Sequence, residues 1–176
     1  MPDAGDCDAI VLAAGLSSRM PGSKMLREID GRPLVRVAVE NALSACARAI
    51  VVLGHEASAV EAALGEPPPG VVIVENARYR EGMFGSIQTG MREVESDWFF
   101  VVPGDMPGLD AGIFAAVARA VSPDALAVVP YYGAQRGHPV LVSRSLVPAL
   151  LREPRSAGPM RDLDRKSTRL NSSHYS

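Results

Sequence analysis

The 176-residue chain is long enough for one domain with a sizeable core and too short for two. Apolar residues make up 47% and charged residues 22%, as in globular proteins generally, and no apolar run approaches the roughly 20 residues of a membrane span. The net charge of -2, with no basic block before the extreme C-terminus, excludes the electrostatic pattern of a duplex-binding protein. We therefore expect neither a membrane nor a nucleic acid as a partner.

The N-terminal segment carries acidic residues where a secretory signal would carry basic ones, so we expect a cytoplasmic protein. The two cysteines, Cys7 and Cys46, lie far apart, with no CxxC pair and no Cys/His cluster. This spacing predicts reduced, buried and inert thiols and no zinc site.

Short runs rich in Val, Ile and Ala alternate with longer amphipathic stretches, which is typical of a parallel sheet flanked by helices. The runs are almost continuously apolar, as strands covered on both faces are. Strands are predicted, in chain order, at 9–14, 49–54, 71–75, 98–103, 126–132 and 139–143. Helices are predicted at 33–47, with Leu34, Val37, Ala38 and Ala42 on one face, and at 57–64, 85–95, 110–121 and 144–152. The sequence thus predicts a three-layer α/β fold.

The loop after the first predicted strand concentrates small residues, hydroxyls and two cations. Gly15 allows the backbone to approach a ligand closely, and Ser17 and Ser18 add hydroxyl donors to the N–H groups of the turn. Arg19 and Lys24 supply the charges that phosphate oxygens attract. Neither the GxxxxGK[ST] pattern nor the GxGxxG pattern is present. The loop therefore predicts a phosphate site of another kind, with an ordinary turn that carries incidental charges as the alternative.

The stretch LAAGLSSRMPGSKML, residues 12–26, resembles the LAAGxSxRMxxxK signature of the nucleotidyltransferases that include molybdenum cofactor cytidylyltransferases. The resemblance implies a Rossmann-like α/β fold with a mostly parallel sheet, in which this loop wraps the triphosphate of a nucleotide. It places Arg19 and Lys24 on phosphates as catalytic residues. The nucleotide-binding residues that it implies within this stretch are Leu12, Ala13, Ala14, Gly15, Ser17, Arg19 and Lys24.

A candidate metal ligand follows the fourth predicted strand, in the stretch WFFVVPGDMPGLD. The strand ends at Pro103, Gly104 turns the chain, and Asp105 projects at the carboxyl edge of the sheet, on the same rim as the phosphate loop. Mg²⁺ typically takes one or two carboxylates together with substrate phosphates. We therefore expect Asp105 to be a catalytic, nucleotide-binding and Mg²⁺-binding residue, with a simple turn former as the alternative.

The stretch NARYREGMFGSIQTGM, residues 76–91, resembles the family segment in which a GMxxS run enters a helix and recognises base and ribose. The resemblance implies nucleotide binding by Asn76, Gly85 and Ser86. Ser86 is a candidate for contact with the base and equally a candidate for the N-cap of a helix.

The stretch YYGAQRGHPVLVS, residues 131–143, resembles the family's RGHPV element, which shapes the pocket for the acceptor substrate. An anionic acceptor phosphate would meet Arg136, Gly137 and His138 there. A hydrogen bond from His138 to the backbone of its own loop is the alternative.

The resemblance implies an Mg²⁺-dependent transferase that moves CMP from CTP to the phosphate of molybdopterin and releases pyrophosphate. Relatives that transfer GMP more often have glycine where Ala14 stands, and a methyl group there would crowd a purine. The resemblance also implies a molybdoenzyme or its chaperone as a protein partner. The alternatives are a guanylyltransferase, a nucleotidyltransferase for sugar or polyol phosphates, and a catalytically impaired nucleotide-binding module.

The C-terminus departs from the family pattern. We assign residues 1–163 to the nucleotidyltransferase domain, without the family's usual final segment and its acidic metal contributor; neither Asp162 nor Asp164 can be assigned that role. Residues 164–176 contain few large apolar side chains and show no strand or helix period, which predicts a disordered tail. The abrupt change in composition raises the alternative that this tail is not native.

Overall fold

The computed structural model describes residues 1–16 and 22–156, and the backbone pairing of residues 167–171. Its strands are β1 (Asp8–Ala13), β2 (Glu28–Ile29), β3 (Arg32–Pro33), β4 (Arg48–Leu53), β5 (Val71–Glu75), β6 (Trp98–Pro103), β7 (Ala127–Tyr132), β8 (Gln135–Arg136), β9 (Val140–Ser143) and β10 (Ser167–Asn171). Its α-helices are α1 (Leu34–Leu43), α2 (Ala57–Leu64), α3 (Met83–Met91), α4 (Ala111–Arg119) and α5 (Val147–Leu150). Short 3-10 turns lie at Ala4–Asp6, Lys24–Leu26, Tyr79–Glu81 and Arg144–Leu146.

The main sheet has the strand order β10-β7-β9-β6-β1-β4-β5, with β8 paired to β7. β1 lies between β6 and β4 and is parallel to both, and β5 continues the parallel set beyond β4. β10 is parallel to β7, whereas β9 is antiparallel to both β6 and β7. The sheet is mostly parallel, as predicted. The carboxyl ends of β1, β4 and β6 therefore meet at one edge of the sheet, where α/β folds bind ligands.

Alternate residues of the central strand face two different helical layers. Ala9, Val11 and Ala13 belong to a core cluster with apolar side chains of α1, α2 and α4. In this cluster the rings of Phe100 and Phe114 pack edge to face, with their centroids 4.9 Å apart. Ile10 belongs to a second cluster with side chains of α3, against which partly buried residues of α5 also pack. This alternation confirms the predicted three-layer arrangement of helices, sheet and helices.

A buried ion pair fixes the opposite, amino-terminal edge of the sheet. The side chain of Asp8, at the start of β1, is fully buried and accepts two hydrogen bonds from Arg48 of β4, at 3.0 and 2.9 Å. It also accepts the backbone N–H groups of Glu95 and Ser96. Burial opposes ionisation of Asp8, but these hydrogen bonds and the charge of Arg48 outweigh it and hold the pKa below its ordinary value.

Both cysteines are free and buried, as predicted. Burial and three nearby aspartates raise the pKa of Cys7 to about 12, so its thiol stays protonated. Within the described part of the chain, no helix has both the length and the apolar character needed to span a membrane.

The tail differs from its prediction. Ser167–Asn171 forms β10, which pairs in parallel with residues 127–131 of β7. A search for apolar periodicity could not find this strand, because pairing uses backbone groups and an end strand of a sheet needs fewer apolar side chains than a central one. The rest of the predicted tail lies outside the described residues, as do Asp162 and Asp164.

The helix predicted at 144–152 is shorter than expected. The chain first makes a 3-10 turn at Arg144–Leu146, and only Val147–Leu150 is α-helical. The other predicted strands and helices are present, with ends shifted by a few residues at most positions.

Candidate active site

A cavity of about 350 Å³ opens at the carboxyl edge of the sheet, between the ends of β1 and β6 and the start of α3. Its volume lies in the range of small-molecule sites in proteins. The residues around it come from three segments and are Leu12, Ala14, Gly15, Leu16, Lys24, Met25, Tyr79, Arg80, Gly82, Met83, Ser86, Pro103 and Asp105.

Two opposite charges meet at the mouth of this cavity. The ammonium of Lys24 lies 3.8 Å from a carboxylate oxygen of Asp105, and each side chain is a little under half exposed. Gly104 makes this approach feasible, because a Cβ there would lie 2.7 Å from the backbone oxygen of Leu12 and 2.9 Å from the sulfur of Met25. The structure thus brings together the predicted cation of the phosphate loop and the predicted metal ligand.

Glu56, which follows β4, binds the segment that carries Lys24. Glu56 accepts the backbone N–H of Ser23 at 2.6 Å, and the hydroxyl of Ser23 accepts the N–H of Met25. Glu56 itself has a left-handed backbone, with φ of 54° and ψ of 36°. Left-handed geometry is uncommon for a residue other than glycine, and here it occurs at the residue whose carboxylate binds the end of the phosphate loop.

Gly54 lets three segments pack closely beside the cavity. A Cβ at this position would lie 2.7 Å from Cβ of Tyr79 and 2.8 Å from Cβ of Ala14. His55 then returns toward the first loop, where its backbone N–H donates to the oxygen of Ala14. The methyl group of Ala14 is therefore held in the cavity wall and has no room to withdraw toward β4.

A buried polar network lies on the α3 side of the cavity. Asn76 donates through Nδ2 to the hydroxyl of Ser86 at 3.0 Å, and its Oδ1 accepts a hydrogen bond from Arg155 at 2.6 Å. Ser86 is the fourth residue of α3, whose N-cap is Gly82. The N-cap alternative for Ser86 is therefore wrong, because the helix begins at Met83 and the hydroxyl lies in its first full turn.

The predicted acceptor residues do not line the cavity. Arg136 is exposed in β8, and the N–H of Gly137 donates to the oxygen of Pro130 at 2.7 Å. His138 lies within electrostatic reach of Asp105. Burial lowers the pKa of His138, whereas a hydrogen bond with the backbone of Val101 and the charge of Asp105 oppose that shift without cancelling it.

The other predicted nucleotide-binding residues divide into three groups. Leu12, Ala14, Gly15 and Ser86 line the cavity with Lys24 and Asp105. Ala13 faces the opposite core, Asn76 lies behind Ser86, and Gly85 lies beneath the guanidinium of Arg155. Ser17 and Arg19 lie outside the described residues.

Four further residues of the site were not predicted from the sequence: Met25, Tyr79, Arg80 and Arg155. Tyr79 and Arg80 lie within the stretch 76–91, which was already assigned to nucleotide recognition, so their position in that stretch was the available signal. Arg155 lies in no motif, and only the fold brings it to Asn76.

The described residues contain no cluster of three or more His, Cys, Asp or Glu side chains that would form a protein-only metal site. One half-exposed carboxylate at the edge of the cavity instead fits an Mg²⁺ ion that keeps most of its ligands from substrate phosphates and water. Asp105 is thus suited to a metal that arrives with a nucleotide.

A larger cavity, of about 580 Å³, lies at the amino-terminal edge of the sheet, beside Cys7 and Trp98. Its acidic neighbours are Asp6 and Asp97, and within the described chain no lysine or arginine lines it. It therefore lacks the lysine or arginine side chain that would bind a triphosphate, and the smaller cavity at the carboxyl edge is the better candidate.

Solved structures show the class of fold to which this architecture belongs. A nucleotidyl transferase from Methanothermobacter superposes with a TM-score of 0.80 at 23% sequence identity, covering 95% of this chain and 87% of that one. The chain thus has the Rossmann-like fold of nucleotidyltransferases, as predicted.

The chain belongs to the family described as the MobA-like NTP transferase domain, whose model matches residues 9–170. The molybdenum cofactor cytidylyltransferase of Escherichia coli (strain K12) is 29% identical over 147 residues, which cover 84% of this chain and 75% of the relative. A probable molybdenum cofactor guanylyltransferase of Geobacillus sp. (strain WCH70) is 32% identical over 111 residues, covering 62% of this chain and 55% of the relative. The chain is a nucleotidyltransferase by family, and the names of these relatives differ in the nucleotide transferred.

Proposed function

We propose that this protein transfers CMP from CTP to the phosphate of molybdopterin, with Mg²⁺ as cofactor and pyrophosphate as the second product. The observation that carries the proposal is the pairing of Lys24 with Asp105 at the mouth of a nucleotide-sized cavity. The relative from Escherichia coli, whose name gives this activity, supports the choice of substrates.

In this proposal the base lies in the cavity beside Leu12, Ala14 and Ser86, and the triphosphate extends toward Lys24. Ser17 and Arg19 would add donors from the phosphate loop, and Asp105 would hold Mg²⁺. When bound, the ion would neutralise charge on the phosphate oxygens. The acceptor would approach from the side of Arg136, Gly137 and His138, where the charge of Asp105 acts on His138.

The reaction is an in-line displacement at phosphorus. A phosphate oxygen of the acceptor forms a bond to the α-phosphorus, and the bond from that phosphorus to the bridging oxygen of pyrophosphate breaks. The acceptor phosphate enters already ionised, so the protein need not remove a proton. Its contribution is to align the two substrates and to neutralise charge, with Lys24 stabilising the leaving pyrophosphate.

CTP is favoured over GTP by the position of Ala14. Ala14 lines the cavity, and the close packing beside Gly54 leaves its methyl group little room to withdraw. A pyrimidine leaves room for that methyl group, whereas a purine is larger by a ring. GMP transfer is the second candidate because of the guanylyltransferase relative.

The test is release of pyrophosphate in the presence of Mg²⁺ and molybdopterin, with CTP, GTP and UTP compared at equal concentration. Release with CTP alone is expected. Release with GTP alone would replace the nucleotide in the proposal, and binding of a nucleotide without release would mark a binding module or a different acceptor. No binding of any of the three would overturn the proposal.

A further inference from the structure

Arg155 follows α5 in the chain, and its side chain joins the polar network of Asn76 and Ser86 beside the cavity. Its Nη2 donates to Oδ1 of Asn76 at 2.6 Å, and its Nε lies 3.0 Å from a carboxylate oxygen of Glu81. The side chain is only 20% exposed. Gly85 provides the space, because a Cβ there would lie 3.0 Å from Nε of Arg155.

Arg155, together with the backbone N–H of Arg78, determines which way the amide of Asn76 faces. Oδ1 of Asn76 accepts two hydrogen bonds, one from Arg155 and one from the backbone N–H of Arg78 at 3.1 Å. The reversed amide would direct its NH₂ group at two donors and lose both bonds. The amide nitrogen is therefore directed at Ser86, and it donates to the hydroxyl oxygen at 3.0 Å.

With the amide in this orientation, the hydroxyl proton of Ser86 is available to a ligand in the cavity. The hydroxyl oxygen already accepts from Asn76, and within the part of the chain that the structure describes Ser86 donates to no acceptor. Ser86 is buried, yet it lines the cavity at the carboxyl edge. A buried hydroxyl without an acceptor is unfavourable, so a ligand that offers an acceptor atom here is favoured.

We propose that Arg155 is a positioning residue that makes Ser86 a hydrogen-bond donor to an acceptor atom of the bound nucleobase, an inference that rests on the proposed function. Without Arg155, only the backbone N–H of Arg78 holds Oδ1 of Asn76, so the amide turns more readily and presents its oxygen to Ser86. The hydroxyl would then donate to Asn76, and the base would lose its donor.

The test compares CTP with ribose 5′-triphosphate, which has the sugar and phosphates but no base, by calorimetric titration in the presence of Mg²⁺. Arg155→Met removes the donors and keeps most of the apolar stem. It is expected to weaken CTP binding about tenfold and to leave the affinity for ribose 5′-triphosphate unchanged. Ser86→Ala should give the same pattern, and the double variant should be no weaker than Ser86→Ala, because both changes remove one interaction.

Asn76→Asp is a second variant that does not depend on loss of packing. A carboxylate has nearly the shape of the amide and pairs well with Arg155, but it can only accept hydrogen bonds. Ser86 would then donate to it, so CTP binding should again fall about tenfold with ribose 5′-triphosphate unaffected. Arg152→Met, an exposed arginine of the same segment, is the matched control and should bind both ligands as the wild type does.

Three outcomes would overturn the inference. Unchanged CTP affinity in Arg155→Met and Asn76→Asp would show that Ser86 does not need this orientation. Equal losses for CTP and ribose 5′-triphosphate would show a merely structural role. If the wild type binds neither ligand, the proposed function itself fails, and that result is distinguishable because it appears before any substitution is made.

Discussion

The ammonium of Lys24 lies 3.8 Å from the carboxylate of Asp105, although 81 positions of sequence separate the two residues. Lys24 follows the loop after β1, and Asp105 follows β6, which is the parallel neighbour of β1. A cation and an anion therefore lie together at the carboxyl edge of the sheet, after two adjacent parallel strands. An exposed pair at this distance contributes little to stability, about 0 to 1 kcal/mol, so its placement is better explained by a ligand.

Lys24→Ala and Asp105→Asn test this pair by activity. Each removes a charge that the proposed reaction uses in its transition state, so kcat for pyrophosphate release should fall about a hundredfold, or about 3 kcal/mol in activation free energy. Thermal unfolding should change little, because both side chains are nearly half exposed.

Asp124→Asn is the matched control for the loss of a carboxylate. Asp124 is exposed in the connection between α4 and β7, away from the candidate site, and its substitution should leave kcat unchanged. Near-normal activity in Asp105→Asn would contradict the assignment of that residue to the metal.

Glu56→Gln tests whether the end of β4 holds the phosphate loop in place. The substitution keeps the length of the side chain but replaces a charged acceptor of the Ser23 N–H by a neutral one. The segment that carries Lys24 should then be less well ordered, and the affinity for Mg²⁺·CTP should fall about three- to tenfold.

Calorimetric titration measures this affinity directly. Glu61→Gln, on the exposed side of α2, removes the same charge within five positions and should bind as the wild type does. Equal affinities in the two variants would show that the bond from Ser23 to Glu56 does not support nucleotide binding.

Much of the fold could be predicted, because buried parallel strands are apolar throughout and are bounded by turn residues. The strands at 71–75 and 98–103 and the helix at 57–64 have exactly the predicted bounds. The hairpin of β2 and β3 was missed, since strands of two residues are too short to show a period. β10 was missed because its pairing is made by the backbone.

The site residues that stand in a sequence motif could be predicted, whereas those that only the fold brings to the site could not. Lys24 and Asp105 each stood in a recognisable loop, and their meeting follows from the order of parallel strands. The start of α3 at Met83, which excludes the N-cap role for Ser86, needed backbone geometry. Arg155 is 79 positions from Asn76, a contact that no local pattern indicates.

Gly90→Ala tests the close packing of α3, which carries Ser86 to the cavity. A Cβ at Gly90 would lie 2.5 Å from Cγ2 of Ile10 and 3.1 Å from Cγ2 of Val52, both fully buried in the sheet. The gain in helix propensity is about 1 kcal/mol at most, whereas overpacking typically costs about 1 to 3 kcal/mol. The free energy of unfolding should therefore fall by about 1 kcal/mol or more in urea titrations.

Gly108→Ala is the control for this substitution. A Cβ at Gly108 would meet no atom within 4 Å, and its backbone does not require glycine, so stability should change by less than about 0.5 kcal/mol. A Gly90→Ala variant as stable as Gly108→Ala would show that α3 can move away from β1 without cost.

Asp8→Asn tests the buried ion pair at the amino-terminal edge through its dependence on pH. Breaking such a pair leaves Arg48 without its partner and should cost about 3 kcal/mol of unfolding free energy at pH 7.

The pKa of Asp8 is lowered in the folded state, so the unfolded chain binds the proton more readily. Stabilisation by Asp8 is therefore fully present above the unfolded value of about 3.9 and is lost as the pH falls toward the folded pKa. Urea titrations of both proteins between pH 7 and pH 3 should show a constant difference down to about pH 4 and a shrinking one below it. A difference that stays constant down to pH 3 would show that the carboxylate charge is not the source of the stabilisation.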